Sequence, residues 1–353
     1  MGNEPTTLQQ AIIYFSDADS CVTFLVSRRW PDGIVRCPRC NSENVSYLEA
    51  RRLWQCKARH AKAQFSIKVG TIFEDSALGL DKWLTAMWMI ANCKNGVSSH
   101  EIAASLGITQ KSAWHLLHRI RLAMKDAAFG GLTKLGTPGP LGNAACGDAD
   151  RASDQWEHGG KAVEVDEAFV GGKLANMHKS RALQVRKDYE AAGDDYEMRR
   201  DNKTPVVGMF DRQTRQVRAK VVKNVRRDTL QTEILKNVKY GSAIYTDSAV
   251  AYDKLRQKFV HETVNHAETY VNGKVHTNSL ENFWSLLKRN LAGTYVAVEP
   301  FHLDRYVDEQ VFRFNNRIGH TPASRFSKMV SQIVGKRLTY AELTGKESQK
   351  QAF

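Results

Sequence analysis

The sequence predicts a multidomain α/β protein, in which an N-terminal zinc ribbon and a helix-turn-helix precede a mixed β-sheet flanked by helices. Three observations support this fold class. A cysteine pair and a cysteine–histidine pair lie near the start of the chain, a pattern of two helices with a glycine turn follows, and β-type runs then alternate with helical patterns. The chain has 353 residues, of which 42% are apolar, so it is long enough for two or three domains.

The charge and the composition of the chain indicate which class of molecule it binds. The chain carries 51 basic and 38 acidic residues, a net charge of +13, which favours nucleic acid before a membrane surface. The start, MGNEPTTLQQ, lacks the pattern of a signal peptide, and the longest apolar run is shorter than the ~20 residues of a membrane span. We therefore expect a cytoplasmic protein with reduced cysteines and no membrane partner.

The first motif is a pair of metal-ligand knuckles. CPRC supplies Cys37 and Cys40, and Cys56 and His60 follow after a gap of 15 residues. Two close pairs of thiolate and imidazole ligands at this spacing predict one structural Zn²⁺ ion, held tetrahedrally in a zinc ribbon that needs the metal to fold. The alternative is a set of core cysteines with a surface histidine.

The second motif, SSHEIAASLGITQKSAWHLLHRIRLAM, indicates two helices joined by a tight turn. Ser98 or Ser99 can cap the first helix, Gly107 allows the turn and Thr109 can cap the second helix. Polar groups at the start of such a second helix can reach base edges in the major groove of DNA. The expected DNA-contacting residues are Gln110, Lys111, Ser112, His115 and Arg119, with Arg121 further along. The alternative is an ordinary pair of packed helices.

The third feature is a pair of carboxylates, Asp166 and Glu167, inside the apolar strand-like run VEVDEAFV. A second strand-like run, SAIYTD, ends at Asp247 and is expected to lie beside the first run in a mixed sheet. Metal-dependent phosphodiester chemistry needs carboxylates that converge from separate elements on Mg²⁺ or Mn²⁺. Because residues alternate across a strand, only one of Asp166 and Glu167 can join Asp247, and spacing alone leaves both open.

A further acid is expected on a helix. In NSLENFWSLLKRNL, Glu281 and Lys288 are seven residues apart on one flank of an apolar stripe, which suits a metal ligand and a phosphate contact. The other candidates are Glu167 and Glu309, and Glu309 has an arginine four residues to either side, the setting of an ordinary ion pair. We expect Glu281 to be the third acid and the other two to be structural. The alternative for Glu281 and Lys288 is a solvated helix flank.

A basic run after the second strand of the sheet is expected to follow the DNA backbone. Arg218 and Lys220 share one face of their predicted strand, so we expect them to present charge to phosphates. The other members of the run are Arg212, Arg215, Lys223, Arg226 and Arg227. The alternative is a solvated edge strand.

These blocks together resemble the bacterial DDE insertion-sequence transposases that combine an N-terminal zinc ribbon with a ribonuclease-H-like catalytic core, and most closely the insertion-sequence family numbered fifteen ninety-five. The resemblance runs from RWPDGIVRCPRC through QFSIKVGTIFEDS, VEVDEAFVGGK and IYTDSAVAY to VHTNSLENFWSLLKRNLAGTY and YVDEQVFRFNNR. It implies that Asp166, Asp247 and Glu281 are the metal-binding catalytic acids, with Lys288 as the basic residue one helical repeat later.

The resemblance also implies domain boundaries, with two departures from the family pattern. The fourth zinc ligand is His60, and the segment before the VEVDE strand is longer than the usual short Gly/Pro connection. The expected domains are an N-terminal helical segment (1–30), the zinc ribbon (31–76), the helix-turn-helix domain (77–126), a linker (127–162), the ribonuclease-H-like DDE catalytic domain (163–320) and a C-terminal tail (321–353).

The activity that the resemblance implies is that of a DNA transposase. Such an enzyme binds the terminal inverted repeats of its element, cleaves at the element's end with Mg²⁺ or Mn²⁺, and joins the freed 3′-hydroxyl to target DNA. The implied partner is double-stranded DNA, bound by a homodimer or higher multimer at the bacterial nucleoid. One rival is a non-catalytic DNA-binding regulator derived from a transposase, which predicts damaged carboxylates. Another is a nuclease or resolvase that cuts without strand transfer.

Overall fold

The protein is seen in a computed structural model that describes residues 4–125, 134–138, 161–172, 178–180, 182–184, 187, 203–247, 252, 255, 258–264 and 276–346. The chain divides into two compact units. We call residues 1–125 together with 316–353 the N-terminal unit, and residues 126–315 the sheet unit. Most of the expected linker lies outside the described residues, as does most of the run AYDKLRQKF, whose pattern predicts a helix.

The helices follow the predicted order, with one break. They are α1 (Leu8–Phe15), α2 (Ala18–Arg29), α3 (Leu80–Asn92), α4 (Ser99–Leu106), α5 (Gln110–Met124), α6 (Arg227–Asn237), α7 (Asn278–Asn290), α8 (Leu303–Asn315), α9 (Pro322–Ser331) and α10 (Tyr340–Leu343). The N-terminal helical segment expected over 1–30 is two helices, because Asp17 is extended and its carboxylate caps α2 by accepting from the Ser20 N–H at 2.8 Å.

The N-terminal unit contains a small antiparallel sheet and the predicted helical pair. Its strands β1 (Val45–Leu48), β2 (Leu53–Cys56) and β3 (Gln64–Phe65) lie in that order. Between α4 and α5, Gly107 adopts the left-handed conformation with φ 59°. Ser98 forms a capping box with Glu101 at the start of α4, and Thr109 caps α5. The predicted caps and the predicted turn are therefore confirmed.

The segment expected to be a C-terminal tail is folded in its described part. Helix α9 buries Phe326, Met329 and Val330 in the N-terminal unit. The Phe326 ring stacks on Phe24 of α2 at 5.6 Å and lies 5.0 Å from the Trp88 ring of α3. The reason is that α9 is amphipathic, and its apolar stripe needs a partner to cover it.

The sheet unit is built on five strands. They are β4 (Val163–Val170), β5 (Thr204–Asp211), β6 (Gln216–Val221), β7 (Ala243–Asp247) and β8 (Val260–Val264), in the spatial order β6-β5-β4-β7-β8. β5 is antiparallel to both β4 and β6, whereas β4, β7 and β8 run parallel. The mixed sheet predicted from the order of elements is therefore confirmed.

Helices cover both faces of this sheet. On one face, residues of α7 and α8 such as Trp284 and Phe314 pack on alternate strand residues such as Ala168 and Phe210. On the other face, α6 packs its apolar residues against the intervening strand residues. Part of the expected linker, residues 134–138, joins this second face, because Leu135 is buried there and its N–H bonds the Asn237 carbonyl at 2.7 Å.

No helix in the described ranges is both long and apolar enough to cross a membrane.

Candidate active site and zinc centre

The two predicted metal-ligand knuckles come together at the edge of the small sheet. Ligand atoms of Cys37, Cys40, Cys56 and His60 all lie within 4.8 Å of one another. The Sγ atoms of Cys40 and Cys56 are 3.6 Å apart, and the Cys37 Sγ is 3.5 Å from the His60 Nε2. Three thiols and an imidazole at this spacing form the donor set of a closed, four-coordinate zinc site. Local hydrogen bonds also put His60 and Cys37 in a form that can bind a metal.

The His60 Nδ1 lies 2.8 Å from the Ala61 carbonyl, so Nδ1 carries the proton and Nε2 is left facing the thiols. Burial raises the pKa of the Cys37 thiol, but N–H donors from Arg39 and Cys40 outweigh it and bring the pKa to about 7. A thiol that ionises near neutral pH is suited to bind zinc as a thiolate.

In the sheet unit, the register of the parallel strands relates the two predicted aspartates. β4 and β7 pair at Val163↔Ile244 and Glu164↔Tyr245. Continuing this register by two residues puts Asp166, in the middle of β4, level with Asp247, the last residue of β7, on the same face of the sheet. Both residues are half-buried.

Helix α7 carries the predicted third acid and is fastened to Asp166. The Trp284 indole Nε1–H donates to the Asp166 Oδ2 at 3.0 Å. Trp284 is three residues after Glu281, which is exposed on the same helix. Directly opposite Asp166 on β5 is Gly208, where a Cβ atom would lie only 2.5 Å from the indole ring. The glycine therefore leaves the space that the indole occupies.

Electrostatics indicate that the three acids share one region. The pKa of Asp166 is raised to about 6, chiefly by burial. The negative charges of Asp247 and Glu281 add to the rise, and hydrogen bonds from the Glu167 N–H and from Trp284 act against it. Their carboxylate oxygens do not form a group as close as the zinc ligands do among the residues that the structure describes. Trp284 and Gly208 were not identified from the sequence, since neither residue type signals a metal site.

The other two candidate acids have hydrogen-bond partners of their own. Glu167, on the opposite face from Asp166, accepts a hydrogen bond from the buried Tyr252 hydroxyl. Burial, together with the negative charges of Asp166 and Asp247, raises the pKa of Glu167 to about 7. Glu309 is fully buried on α8 and bonds Arg313 and the Tyr295 hydroxyl. The structural roles expected for both residues stay predictions, and Glu309 is more deeply buried than an ordinary surface ion pair.

A third strand acid, Glu164, was not identified as a site residue from the sequence. It is fully buried and accepts hydrogen bonds from Arg212 and from two backbone N–H groups at the start of α7. The signal that could have found it is the strand alternation, because a residue two positions before Asp166 must share its face.

Lys288 lies where the predicted basic residue was expected, two turns after Glu281 on α7 and exposed. It lines an open groove of about 850 Å³ together with Phe169 and Val170 from the end of β4. The groove continues along the π-helical segment Leu291–Tyr295 that follows α7. The Phe169 ring is exposed beside it.

The expected DNA-contacting face of α5 is only partly accessible. Lys111, His115 and Arg119 form one stripe at four-residue spacing, and exposure falls along it. Lys111 is exposed with its Nζ 4.8 Å from the Tyr340 ring, and His115 is half-buried with its Nε2 3.4 Å from the Leu338 carbonyl. Gln110 is exposed and donates to Ser99, and Ser112 is half-buried.

The prediction that Arg119 contacts DNA is wrong. Its side chain is 5% exposed, donates to the Glu74 carbonyl and lies 5.2 Å from the Trp83 ring. Arg121, also expected on the polar side, is 1% exposed. The reason is that α5 packs against α3 and the residues before it along its second half, so only its first turns remain open.

The prediction that Arg218 and Lys220 together form a phosphate-binding stripe is wrong for Arg218, whereas the Lys220 side chain is 41% exposed. They do share one face of β6, and α6 covers that face at Arg218. Arg218 is 7% exposed and donates to Asn237, and Lys220 pairs with Glu233 at 3.1 Å. Elsewhere in the basic run, Arg215, Lys223 and Arg226 are exposed.

Comparison with known proteins gives matches to both parts of the chain. Residues 158–315 match the ISXO2-like transposase domain, a model of the IS1595 type, and residues 16–61 match the transposase zinc-ribbon domain. The chain is 26% identical over 279 residues to an uncharacterized protein in transposable element ISH50 of Halobacterium salinarum. That match covers 76% of this chain and 81% of the relative.

A second relative is shorter and more similar. The chain is 35% identical over 97 residues to an uncharacterized transposase-like protein of Haemophilus influenzae, which is 27% of this chain and 78% of that protein. The zinc-ribbon match and the four ligands together support a structural zinc ion in this region. With both domain matches and these relatives, the chain belongs to the IS1595 family of transposases, the insertion-sequence family numbered fifteen ninety-five.

Proposed function

We propose that this chain is an active DDE transposase, which binds the terminal inverted repeats of an insertion sequence and catalyses metal-dependent strand cleavage and strand transfer. The observation that carries the proposal is the strand register that puts Asp166 level with Asp247. The order β6-β5-β4-β7-β8, with β5 antiparallel to the parallel strands, supports a ribonuclease-H-like core. The hydrogen bond from Trp284 to Asp166 supports Glu281 as the third acid, because Glu281 is three residues before Trp284 on α7.

The three acids are suited to hold a hard divalent cation. Carboxylate oxygens are the ligands that Mg²⁺ and Mn²⁺ prefer, and three like charges in one region favour a cation among them. Asp166, Asp247 and Glu281 would hold the ion. When bound, Mg²⁺ supplies charge neutralisation at the phosphate and activation of the attacking oxygen. Trp284 orients the Asp166 carboxylate by its hydrogen bond.

DNA contacts are assigned to two surfaces, each described within its own unit. In the sheet unit, the groove beside Lys288 would receive the DNA end, and the Lys288 ammonium would contact a phosphate. In the N-terminal unit, α4 and α5 would act as a helix-turn-helix, with Gln110, Lys111, Ser112 and His115 facing base edges. We retain a homodimer or higher multimer as the expected state in the DNA complex.

The rival functions predict different products. A non-catalytic regulator would bind element ends without cutting them, and a nuclease or resolvase would cut without joining. The retained acids disfavour the regulator. The deciding experiment incubates the purified protein with labelled element ends, a supercoiled target and Mg²⁺, and scores nicked, cut and joined products.

The matched control for this experiment is a pair of charge-removing variants. Glu281→Gln should abolish cleavage and joining while binding to the element ends persists. Glu309→Gln removes another helix carboxylate of the same unit and should lower activity only through stability. Robust joining by the Glu281→Gln protein would contradict the proposal.

A further inference from the structure

One buried carboxylate of the sheet unit takes no part in the proposed chemistry. Glu164 is fully buried, and it lies two residues before Asp166 on the same face of β4. We propose that Glu164 is a positioning residue, which fixes Glu281 relative to Asp166 and Asp247 by holding the first turn of α7. This inference rests on the proposed function, since it assigns a role toward the same three acids.

The first part of the argument concerns the start of α7. The N-cap residue Thr277 makes no side-chain capping hydrogen bond. Instead, the Glu164 Oε2 accepts from the backbone N–H groups of Ser279 at 3.0 Å and Leu280 at 3.2 Å. First-turn N–H groups lack a carbonyl four residues back in their own helix, and negative charge is favoured beside them. The Leu280 N–H also donates to the Thr277 carbonyl at 3.0 Å, so it is shared between that carbonyl and Glu164. A strand carboxylate therefore caps this helix, and Glu281 is the next residue.

The second part concerns the other carboxylate oxygen. The Glu164 Oε1 accepts from the Arg212 Nε at 2.7 Å. The Arg212 Nη2 donates to the His276 carbonyl at 2.8 Å, and the guanidinium lies 4.8 Å from the centre of the Tyr245 ring. Tyr245 is two residues before Asp247 on β7. The network thus joins the three elements that carry the three acids.

A matched comparison exists in the same unit. Glu309 is also fully buried and also pairs with an arginine, Arg313, but both lie on α8, which carries none of the three acids. Removing either glutamate's charge leaves a buried arginine without its ion-pair partner, so both changes destabilise the fold. Only the change at Glu164 also releases the turn that precedes Glu281. A measurement of metal affinity therefore distinguishes a positioning role of Glu164 from a role in stability alone.

The test uses full-length protein with its zinc ion in place. Mn²⁺ is titrated and followed by electron paramagnetic resonance, and Glu281→Gln defines the signal that belongs to the acids. Glu164→Gln keeps the size of the side chain but removes its charge, and we expect Mn²⁺ binding to weaken roughly 10–100-fold, as when other groups that orient metal ligands are lost. Glu309→Gln should stay within about twofold of wild type.

Hydrogen exchange over residues 278–284 gives a second readout that needs no metal. The first turn of α7 should exchange faster in Glu164→Gln than in Glu309→Gln, when both are compared at equal overall stability. Equal Mn²⁺ affinity and equal exchange in the two variants would overturn the role of Glu164. If the wild-type protein binds no Mn²⁺ through Glu281, the proposed function fails. The hydrogen exchange of the first turn of α7 then decides by itself whether Glu164 holds that turn. If Glu164→Gln does not fold, Glu164→Asp, which keeps the charge on a shorter side chain, takes its place in both measurements.

Discussion

The indole of Trp284 donates a hydrogen bond to Asp166 at 3.0 Å, across a position where the neighbouring strand carries Gly208. The contact links the strand of one acid to the helix of another, because Glu281 is one helical turn before Trp284. It also favours the charged carboxylate of Asp166, since a donor to the ionised form lowers its pKa. The absence of a side chain at Gly208 therefore leaves room for the indole that donates a hydrogen bond to Asp166.

Replacing Gly208 by alanine should disturb this contact. The new Cβ would lie 2.5 Å from the Trp284 ring and 3.1 Å from Leu280, so the indole must shift or the strand must move. Overpacking of this kind costs roughly 1–3 kcal/mol. We expect lower unfolding free energy in denaturant titrations and slower cleavage in the folded fraction. Gly293→Ala is the control, because nothing lies within 4 Å of its added Cβ. Equal cleavage by the two variants would refute the role given to the indole.

Removing the charge of Asp166 should stabilise the protein while abolishing cleavage. The folded pKa of Asp166, about 6, lies above the ordinary 3.8. The stability that the protonated Asp166 side chain contributes is therefore fully present below the unfolded pKa of 3.8. It is lost as pH rises through the folded pKa of about 6. Asp166→Asn should raise the free energy of unfolding by roughly 1–3 kcal/mol at pH 7.5 without added Mg²⁺, and change it little near the ordinary pKa. Thermal unfolding of both proteins across this pH range measures the difference, and a destabilised variant at pH 7.5 would contradict the assignment.

One zinc ion should be present per chain. Cys56→Ser removes one of the four ligands, and we expect the metal content to fall and the small sheet to lose its order. Elemental analysis of purified protein and hydrogen exchange over β1 to β3 test this directly. Cys93→Ser is the control, since Cys93 is exposed and outside the ligand group. Full zinc content in Cys56→Ser would refute the predicted ligand set.

Sequence preference should depend on the exposed start of α5. Lys111→Ala should reduce the difference in affinity between element ends and unrelated DNA, because a base-edge contact specifies sequence. Tyr340→Ala removes the ring 4.8 Å from the Lys111 ammonium and tests whether this neighbour places it. Competition binding with both DNAs is the measurement. Unchanged preference in Lys111→Ala would exclude this face from recognition.

General DNA affinity should depend on Lys288 and not on Arg218. Lys288→Ala should weaken binding to every sequence and reduce the slope of log affinity against log salt by about 0.9, as one phosphate contact is lost. Arg218→Met should lower stability but leave the slope unchanged, because Arg218 is buried under α6. A reduced slope for Arg218→Met would restore the basic strand as a phosphate contact.

Local patterns predicted much of the fold, and long-range packing explains most of what they missed. The zinc knuckles, the caps at Ser98 and Thr109 and the strand around Asp166 depend on nearby residues, and the structure has them where expected. Alternation correctly put Arg218 and Lys220 on one strand face, but it cannot say which face a helix covers. Arg119 was misassigned for the same reason, since its partners lie 45 residues away or in another helix.

The candidate site shows the same division. Strand and helix periodicity were enough to propose Asp166, Asp247 and Glu281, whose roles stay predictions. Strand alternation could have put Glu164 on the face of Asp166, but the partners of Glu164 and Trp284 could not be assigned from one sequence, because each contacts an element more than 100 residues distant. Such contacts become visible only when the strand register and the helix position are known.

The packing of Phe326 on Phe24 has a consequence for synthesis of the protein. These residues are 302 positions apart, yet they share one core. At about 5–20 residues per second, α2 waits on the order of 15–60 s on the ribosome before α9 emerges to cover it. We therefore expect that polypeptides ending early, anywhere within the sheet unit, fail to complete the N-terminal unit. Abortive products would then not occupy the DNA sites of the finished enzyme.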